Sequence, residues 1–266
     1  MMDDSKILED AESHDGVEPM GEAFVNRLDS AVRANIDGQC VGIAVEHEGV
    51  TEVVVHPAYR RRGVGTKLLD EIDAKKIWAH GNLRAAQVIA EKRGLTAVRT
   101  LLQMSIEDIP TELENAPEGV VVETYPEAVD RLGAQEIDGQ WLAVNNEAFD
   151  WHPEQGGWTP EDLNEAREAD WFDPEGVLFA VEKGRIVGFH WTKVHGPELG
   201  EVYVIGLSRL SQGRGIGGWL TRAGLVHLAS KGVKTVILYV EGDNVAAVRT
   251  YKSLGFEVSR EDVLYG

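Results

Sequence analysis

The chain has 266 residues, of which 43% are hydrophobic and 27% charged, an ordinary composition for a globular protein of one large domain or two of average size. Its 45 acidic and 26 basic residues give a net charge of −19, which argues against a nucleic-acid partner because phosphate backbones require a basic face. No apolar run reaches the roughly 18 residues that cross a bilayer, no secretory signal pattern opens the chain, and Cys40 has no partner for an intrachain disulfide, so we expect a cytoplasmic protein without a membrane partner.

After a weakly patterned stretch (residues 1–35), the first half of the chain alternates apolar, β-branched runs with helical patterns. Two strands are predicted to meet near Gly49, and Gly94 is a typical C-terminal stop for the second helix. Residues 95–106 are interpreted as one long strand or as a strand pair. The other predicted elements are strands at 38–50, 51–55 and 77–80, and helices at 66–76 and 82–92.

Residues 110–119 concentrate proline, glycine and acidic side chains, which is typical of a linker, and we therefore predict two domains, 1–112 and 118–266. The second half indicates an α/β (α+β) fold with a mixed sheet, in which Thr159 caps a helix and Lys183 and Gly184 turn a hairpin. The predicted strands are 119–124, 177–182, 185–193, 201–207, 234–240 and 256–264, and the predicted helices are 134–149, 159–171, 219–229 and 243–254.

A glycine-rich loop follows the strand that begins at Glu201 and leads directly into an apolar helix. A helix start presents unpaired backbone N–H groups and the positive end of the helix dipole. Gly213, Gly215 and Gly217 let the backbone approach a bulky anion without a Cβ in the way. The arrangement predicts a pyrophosphate-binding loop, although similar strand-to-helix loops also occur simply as turns.

The same strand, glycine loop and helix occur upstream at residues 53–69, which indicates an internal repeat. The two loops align with Arg60 on Gln212, Gly63 on Gly215, Gly65 on Gly217 and Val55 on Leu207.

Three ordered segments resemble the GNAT superfamily of acyl-CoA N-acyltransferases. The loop 212–217 matches the superfamily's Q/R-x-x-G-x-G/A pattern, 244–256 resembles its closing helix, and strand 236–240 lies between them. The resemblance implies two tandem GNAT-type domains, each a mixed, splayed β-sheet flanked by helices, with acetyl-CoA as cosubstrate and no metal. Because the first half is short for such a domain, the resemblance implies a degenerate copy whose early strand and helix are either lost or degenerate.

A closer resemblance is to tandem-domain members of this superfamily that acetylate the cysteinyl α-amine of a glucosaminyl-inositol. The match is dense over most of 118–256 and thin over 36–110. It implies acetyl transfer from acetyl-CoA by direct attack in a ternary complex, and the absence of cysteine from the second half disfavours an acetyl-cysteine intermediate. The segments that carry this resemblance are 146–149, 152–158, 171–174, 188–195 and 200–203, with support from 54–57, 78–81 and 103–104.

Two side chains are implied as catalytic. The resemblance makes Glu201 the general base, acting through a water, and Tyr251 the acid that protonates the leaving thiolate. It also implies a strand bulge, for which Gly206 is suited, whose freed amides bind the thioester oxygen. From the residues alone, Glu201 could instead be a solvated acid at a strand edge, and Tyr251 could pack in the core with Val248 and Leu254.

The cosubstrate contacts implied by the resemblance follow the two loops and the closing helix. Arginines 60–62 and Arg214 would supply the local positive charge that the acidic composition lacks. In the first half the positions are Val53, Val54, Val55, Arg61, Arg62, Gly63, Val64, Gly65 and Thr66. In the second half they are Ile205, Gly206, Leu207, Gln212, Gly213, Arg214, Gly215, Ile216, Gly217, Gly218, Asn244, Val245, Ala246, Ala247, Val248 and Arg249.

The acceptor is implied to contact Glu154, Lys193, Glu201 and Tyr239, with Glu22 reaching across from the first domain.

Other candidate side chains have competing interpretations. Trp158 and Trp191 either stack on a sugar face or fill the core. His152, His190 and His195 lack a metal-ligand spacing with acidic residues, so no metal site is expected.

The first domain lacks the two catalytic candidates. Aligning Gly94 on Gly255 puts Ala90 in the place of Tyr251, and Glu201 has no clear counterpart. We therefore expect the first domain to bind acetyl-CoA without catalysing, or to be kept for packing. For the whole chain, which we expect to be a monomer, two alternatives stay open: an N-acetyltransferase for another small amine or aminosugar, and a non-catalytic CoA-binding module.

Overall fold

A computed structural model describes residues 3–150 and 155–266. The chain forms two compact units, of which the first comprises Met1–Leu102, Glu241–Asp243 and Arg260–Gly266 and the second Gln103–Val240 and Asn244–Ser259. The end of the chain therefore belongs to the first unit. The domain limits 1–112 and 118–266, drawn along the sequence, stay a prediction.

The described residues contain strands and helices that alternate along the chain. The first are α1 (Asp4–Asp15), α2 (Glu22–Val25), β1 (Val32–Ile36), β2 (Gln39–His47), β3 (Val50–Val55), α3 (Val64–Glu71), β4 (Ile77–Ala79), α4 (Arg84–Arg93), β5 (Ala97–Ile106) and β6 (Val120–Thr124). They are followed by α5 (Tyr125–Leu132), α6 (Ala134–Ala148), α7 (Pro160–Arg167), β7 (Val177–Glu182), β8 (Arg185–Val194), β9 (Leu199–Leu207), α8 (Ile216–Ser230), β10 (Thr235–Glu241), α9 (Val245–Ser253) and β11 (Glu257–Tyr265).

An N-terminal helix that the weak sequence pattern did not predict belongs to the first unit. Asp3 caps α1 by accepting the Lys6 N–H, and the helix ends at Gly16 in the left-handed region. Ile7 and Ala11 are fully buried in a cluster with residues of β2 and β3. An early helix is therefore present in the first unit, whereas no strand precedes α1 in the described part of this unit.

Each unit contains a mixed sheet. In the first unit the strand order is β1-β2-β3-β4-β11-β5, with β4 antiparallel to the end of β11 and parallel to β3. In the second unit the order is β5-β10-β9-β8-β7-β6, where β6 to β9 are antiparallel neighbours and β10 runs parallel to β9.

Hydrophobic clusters lie on both faces of the sheet of the second unit. In one, Trp141 of α6 packs with Phe179 and Trp191 of the sheet. In the other, Leu220 of α8 packs with Ala180. Since alternate side chains of a strand point to opposite faces, helices cover both faces of this sheet, as the α/β prediction requires.

The proline-rich segment predicted as a linker is bound to α8. No helix or strand lies between Ile106 and Val120. The indole N–H of Trp219 donates to the Glu114 carbonyl over 3.0 Å, and Arg222 Nε donates to the Glu112 carbonyl over 3.3 Å. The segment is therefore fixed against the helix that follows the glycine loop.

Candidate active site

Two neighbouring strands of the second unit separate at Glu201. β9 and β10 are paired at Leu199 with Thr235, Gly200 with Val236 and Glu201 with Ile237, and the pairing ends there. β9 continues to Leu207 with β8 along its other side. Its edge towards β10 is therefore unpaired beyond Glu201 and can bind an extended ligand through backbone groups.

A bulge follows Glu201, but not at the predicted position. The register between β8 and β9 shifts between Trp191, which faces Val204, and Thr192, which faces Val202, so Tyr203 is the extra residue. Gly206, which was the expected bulge position, lies in regular register. It is glycine for a different reason: a Cβ there would lie 2.7 Å from Phe189 and 3.2 Å from the Ala148 methyl.

The loop before α8 has the geometry of an anion cradle. Gly213 and Gly215 adopt left-handed backbone angles, with φ of +71° and +78°, and no side chain caps the helix. The first N–H groups of α8 are therefore left for a ligand. A Cβ at Gly217 would approach Leu207 Cδ1 of β9 to 3.0 Å, which keeps this position small. These features fit the expected diphosphate of acetyl-CoA.

The first unit repeats this loop conformation. Arg61 and Gly63 have φ of +63° and +79°, which reproduces the left-handed pair at the aligned positions Gly213 and Gly215. The contact below the loop is also repeated, because a Cβ at Gly65 would meet the side chain of Val55, the residue aligned with Leu207. The predicted repeat therefore extends to backbone geometry.

The arginines expected to attract an anion are largely paired within their own units. Arg214 forms two hydrogen bonds to Glu182, of 2.7 and 3.0 Å, and this pairing holds the pKa of Glu182 below its ordinary value. Arg60 forms two of 2.7 Å to Asp15. The guanidinium of Arg62 lies 5.2 Å from the ring centroid of Tyr59 and donates to a carbonyl of its own turn. Anion attraction therefore relies more on backbone N–H groups than the sequence suggested.

Glu201 is a buried carboxylate rather than a solvated strand-edge acid, with 8% of its surface exposed. Its Oε2 lies 2.5 Å from Nε2 of His195, which follows the end of β8. Lys193 faces Glu201 in register across the β8–β9 pair. A buried acid at the point where two strands part is suited to accept a proton from a substrate amine.

Lys193 lies against an aromatic wall. Its Nζ is 4.6 Å from the ring centroid of Trp171 and 5.4 Å from that of Tyr203, the bulged residue. The centroids of the two rings are 4.8 Å apart. Burial raises the pKa of Tyr203, and the charge of Glu201 raises it further. Sequence reasoning assigned no role to Tyr203 or Trp171, because the contact depends on the register of β8 and β9.

Tyr251 and the closing helix form the remaining part of the predicted site. Tyr251 is 8% exposed and makes an edge contact with Phe256, and burial raises the pKa of its hydroxyl to about 12. Asn244 caps α9 by accepting the Ala247 N–H. The predicted cosubstrate residues 244–249 therefore form the start of a helix whose exposed residues include Val245.

The other acceptor candidates are distributed over different parts of the chain. Tyr239 is 42% exposed, and its hydroxyl accepts a 2.8 Å hydrogen bond from Gln103. Glu22 is exposed at the start of α2 in the first unit. Glu154 and His152 lie outside the described residues. Trp191 is 1% exposed within the aromatic core, so of its two interpretations the structure favours core packing.

The first unit lacks counterparts of the bulge and of the two side chains predicted to be catalytic. Its strand pair β2–β3 is in regular register, without a bulge. In that pair Val50 faces His47, and the corresponding pair in the second unit is Glu201 opposite Lys193. Val50 therefore stands in the position of Glu201. At the end of α4, the Leu95 N–H binds the Ala90 carbonyl, and the Phe256 N–H binds the Tyr251 carbonyl in the same way. The ends of the two helices therefore agree with the predicted alignment, in which Ala90 stands in the position of Tyr251.

Comparisons with known proteins give the family. Residues 141–256 match the "Acetyltransferase (GNAT) family" and 27–100 match the "Acetyltransferase (GNAT) domain". The chain is 45% identical to a mycothiol acetyltransferase of Mycolicibacterium vanbaalenii and 42% identical to one of Corynebacterium glutamicum (strain R), each over 97% of this chain and 91% of the relative. The chain belongs to the mycothiol acetyltransferase family. It is thus an acyltransferase that uses acetyl-CoA as cosubstrate.

Solved structures agree on the fold. A GCN5-related N-acetyltransferase from Sphaerobacter thermophilus superposes with a TM-score of 0.71 at 24% identity, covering 98% of this chain and 90% of its own. A tandem GNAT protein from the clavulanic acid biosynthesis pathway gives 0.62 at 16% identity, covering 99% and 95%. The predicted tandem GNAT architecture and the resemblance to mycothiol acetyltransferases are confirmed.

Two features are absent from the described residues. No helix there is long and apolar enough to span a membrane, and no three histidine, cysteine or acidic side chains come together as a metal site.

Proposed function

We propose that this acetyltransferase acetylates the cysteinyl α-amine of cysteinyl-glucosaminyl-inositol, giving mycothiol and CoA by direct attack in a ternary complex. The names of relatives more than 40% identical over nearly the whole chain support this acceptor. The observation that carries the mechanism is the position of Glu201, buried at the point where β9 leaves β10 in the unit that also holds the glycine cradle.

Binding of the cosubstrate is assigned to the second unit. The backbone N–H groups of Ile216, Gly217 and Gly218 at the start of α8 hold the diphosphate, and Gln212 to Gly215 form the turn that exposes them. Acetyl-CoA supplies the thioester that is attacked. The free edge of β9, including the predicted contacts 205–207, pairs with the extended arm of acetyl-CoA and offers amide donors to the thioester oxygen.

Proton transfer is assigned to Glu201 and Tyr251. Glu201 takes a proton from the acceptor's ammonium group through a water, which is a modest task because an α-amine has a pKa near 8. The freed nitrogen attacks the thioester carbon and the C–N bond forms. The nitrogen then loses its surplus proton to solvent as the C–S bond breaks, and solvent returns to Tyr251 the proton that it gives to the sulfur. Tyr251, whose pKa of about 12 keeps it protonated at neutral pH, donates to the leaving sulfur.

Recognition of the acceptor is assigned to Lys193 and Tyr239 in the second unit, with Glu154 as a further contact. The rings of Trp171 and Tyr203 hold the Lys193 side chain in place. Its ammonium group is therefore positioned to bind a polar group of the acceptor. The first unit is assigned acetyl-CoA binding without catalysis, because it repeats the cradle and lacks both the bulge and the acid.

Steady-state turnover of acetyl-CoA against a panel of amines tests the acceptor. The panel contains cysteinyl-glucosaminyl-inositol, glucosaminyl-inositol without cysteine, free cysteine and glucosamine. Turnover of the first with a kcat/KM at least tenfold above the others is expected. Preference for an aminosugar would replace the proposed acceptor, and binding of acetyl-CoA without turnover of any amine would favour a CoA-binding module.

A further inference from the structure

Among the described residues, the buried general base of the proposed reaction has one side-chain hydrogen bond, to a residue whose role the sequence does not indicate. His195 Nε2 lies 2.5 Å from Glu201 Oε2, with the side chain of His195 32% and that of Glu201 10% exposed. A general base must be ionised before it acts, so the ring N–H of His195 is the donor in this pair. Hydrogen bonds to an ionised carboxylate are among the strongest that side chains form.

The backbone fixes where His195 can reach. It follows directly on β8, which ends at Val194, and its own N–H donates to the Leu199 carbonyl over 2.9 Å at the start of β9. This bond closes the turn between the two strands. The imidazole therefore approaches Glu201 from the solvent end of the strand pair, while Lys193 faces Glu201 directly across it.

The contact gives the two carboxylate oxygens of Glu201 different surroundings. Oε2 is occupied by His195, and within the described parts of the chain no side chain or backbone N–H bonds to Oε1. A carboxylate held at one oxygen cannot rotate freely about its terminal bonds, so the other oxygen keeps one direction. Holding a base in one orientation contributes to the rate because the reacting groups must meet in a defined geometry.

We propose that His195 is a positioning residue for acetyl transfer, which holds Glu201 by its Oε2 so that Oε1 faces the acceptor amine or its bridging water. The inference rests on the proposed function, since it takes Glu201 as the base. His195 forms no covalent bond and keeps its proton throughout the cycle.

The test is a double-mutant cycle between His195 and Glu201, measured as steady-state kcat and acceptor KM. His195→Leu removes the donor at similar volume and is expected to lower kcat about 10- to 100-fold, the usual range for a hydrogen bond to a charged group. Acceptor KM is expected to stay within about twofold, because His195 acts through the base. His195→Gln, which still carries an N–H donor, is expected to recover most of the rate.

The background variant separates this inference from the proposed function. Glu201→Gln alone is expected to lower kcat by about 100-fold or more, and His195→Leu should then add less than about twofold in that background. Equal losses in both backgrounds, or a His195→Leu rate equal to the wild type, would overturn the positioning role. A Glu201→Gln enzyme with full activity would instead refute the base and the proposed mechanism.

Folding is controlled separately. Thermal unfolding of each variant shows whether the turn between β8 and β9 is intact, and His14→Leu, which changes an exposed histidine of α1, is expected to leave the rate unchanged. A His195→Leu loss of rate that His195→Gln does not recover, in a folded protein, would show that the hydrogen bond is not the cause.

Discussion

The same substitution at two helical glycines of the second unit should have opposite effects on stability. Gly224 lies inside α8 and Gly139 inside α6. A Cβ at Gly224 would lie 2.0 Å from Cε1 and 2.2 Å from Nδ1 of His190, whereas a Cβ at Gly139 meets nothing within 4 Å. His190 is fully buried, and its Nδ1 bonds to the Leu220 carbonyl of α8 over 3.1 Å. Alanine at 224 must therefore move the ring or the helix.

The magnitude follows from three contributions. Overpacking a core costs about 1–3 kcal/mol, a lost buried hydrogen bond about 1–3 kcal/mol, and the helix gains about 1 kcal/mol when glycine becomes alanine. We expect Gly224→Ala to lower the free energy of unfolding by about 1–5 kcal/mol, and Gly139→Ala to raise it by about 0.5–1 kcal/mol.

Urea unfolding followed by tryptophan fluorescence measures both variants against the wild type, with an unchanged m-value as the sign that stability alone has changed. A Gly224→Ala protein as stable as the wild type would refute the close packing of His190 against α8. Equal destabilisation by Gly139→Ala would show that the assay reports helix disruption in general.

Three further predictions concern single side chains. Burial lowers the pKa of His190 to about 4 from an ordinary 6.5, so between these pH values the unfolded chain binds a proton that the folded chain does not. The free energy of unfolding is therefore expected to fall by up to about 3 kcal/mol as pH falls from 6.5 to 4. His190→Leu should remove most of this pH dependence from the urea midpoint. Tyr251→Phe should lower kcat by about 100-fold while the Kd of acetyl-CoA stays within about twofold, and an unchanged kcat would remove its role as acid. Lys193→Met keeps a long side chain against Trp171 but not the charge, so acceptor KM should rise about tenfold with a smaller change in kcat, and an unchanged KM would remove its role in binding.

Local sequence signals predicted the elements that are proposed to bind the cosubstrate. The glycine loop, the helix after it and the strand before it were predicted because glycine, β-branched runs and helix starts act over a few residues. The hairpin at Lys183 and Gly184 and the C-terminal stop at Gly94 were predicted for the same reason, and the structure confirms both. By contrast, α1 was missed because it has only a narrow apolar stripe of Ile7 and Ala11.

The chemistry of the site depends on register, which no single strand specifies. The bulge was assigned to Gly206 because glycine suits a bulge, yet the extra residue is Tyr203. Gly206 is explained by the close approach of Phe189 and Ala148 instead. The contact of His195 with Glu201 likewise requires β8 and β9 to be aligned, so the sequence showed a histidine without indicating its partner.

The two copies of the repeat separate the features proposed for cosubstrate binding from those proposed for acetyl transfer. The cradle is present in both, and in the first copy it places Arg61 at a positive φ, a conformation that costs a residue with a side chain about 1 kcal/mol. The proposed transfer requires an acid at the strand fork, where the first copy has Val50, and one inserted residue beside it. Because that inserted residue, Tyr203, also lies beside Lys193, the bulge connects the proposed base with a residue proposed to bind the acceptor.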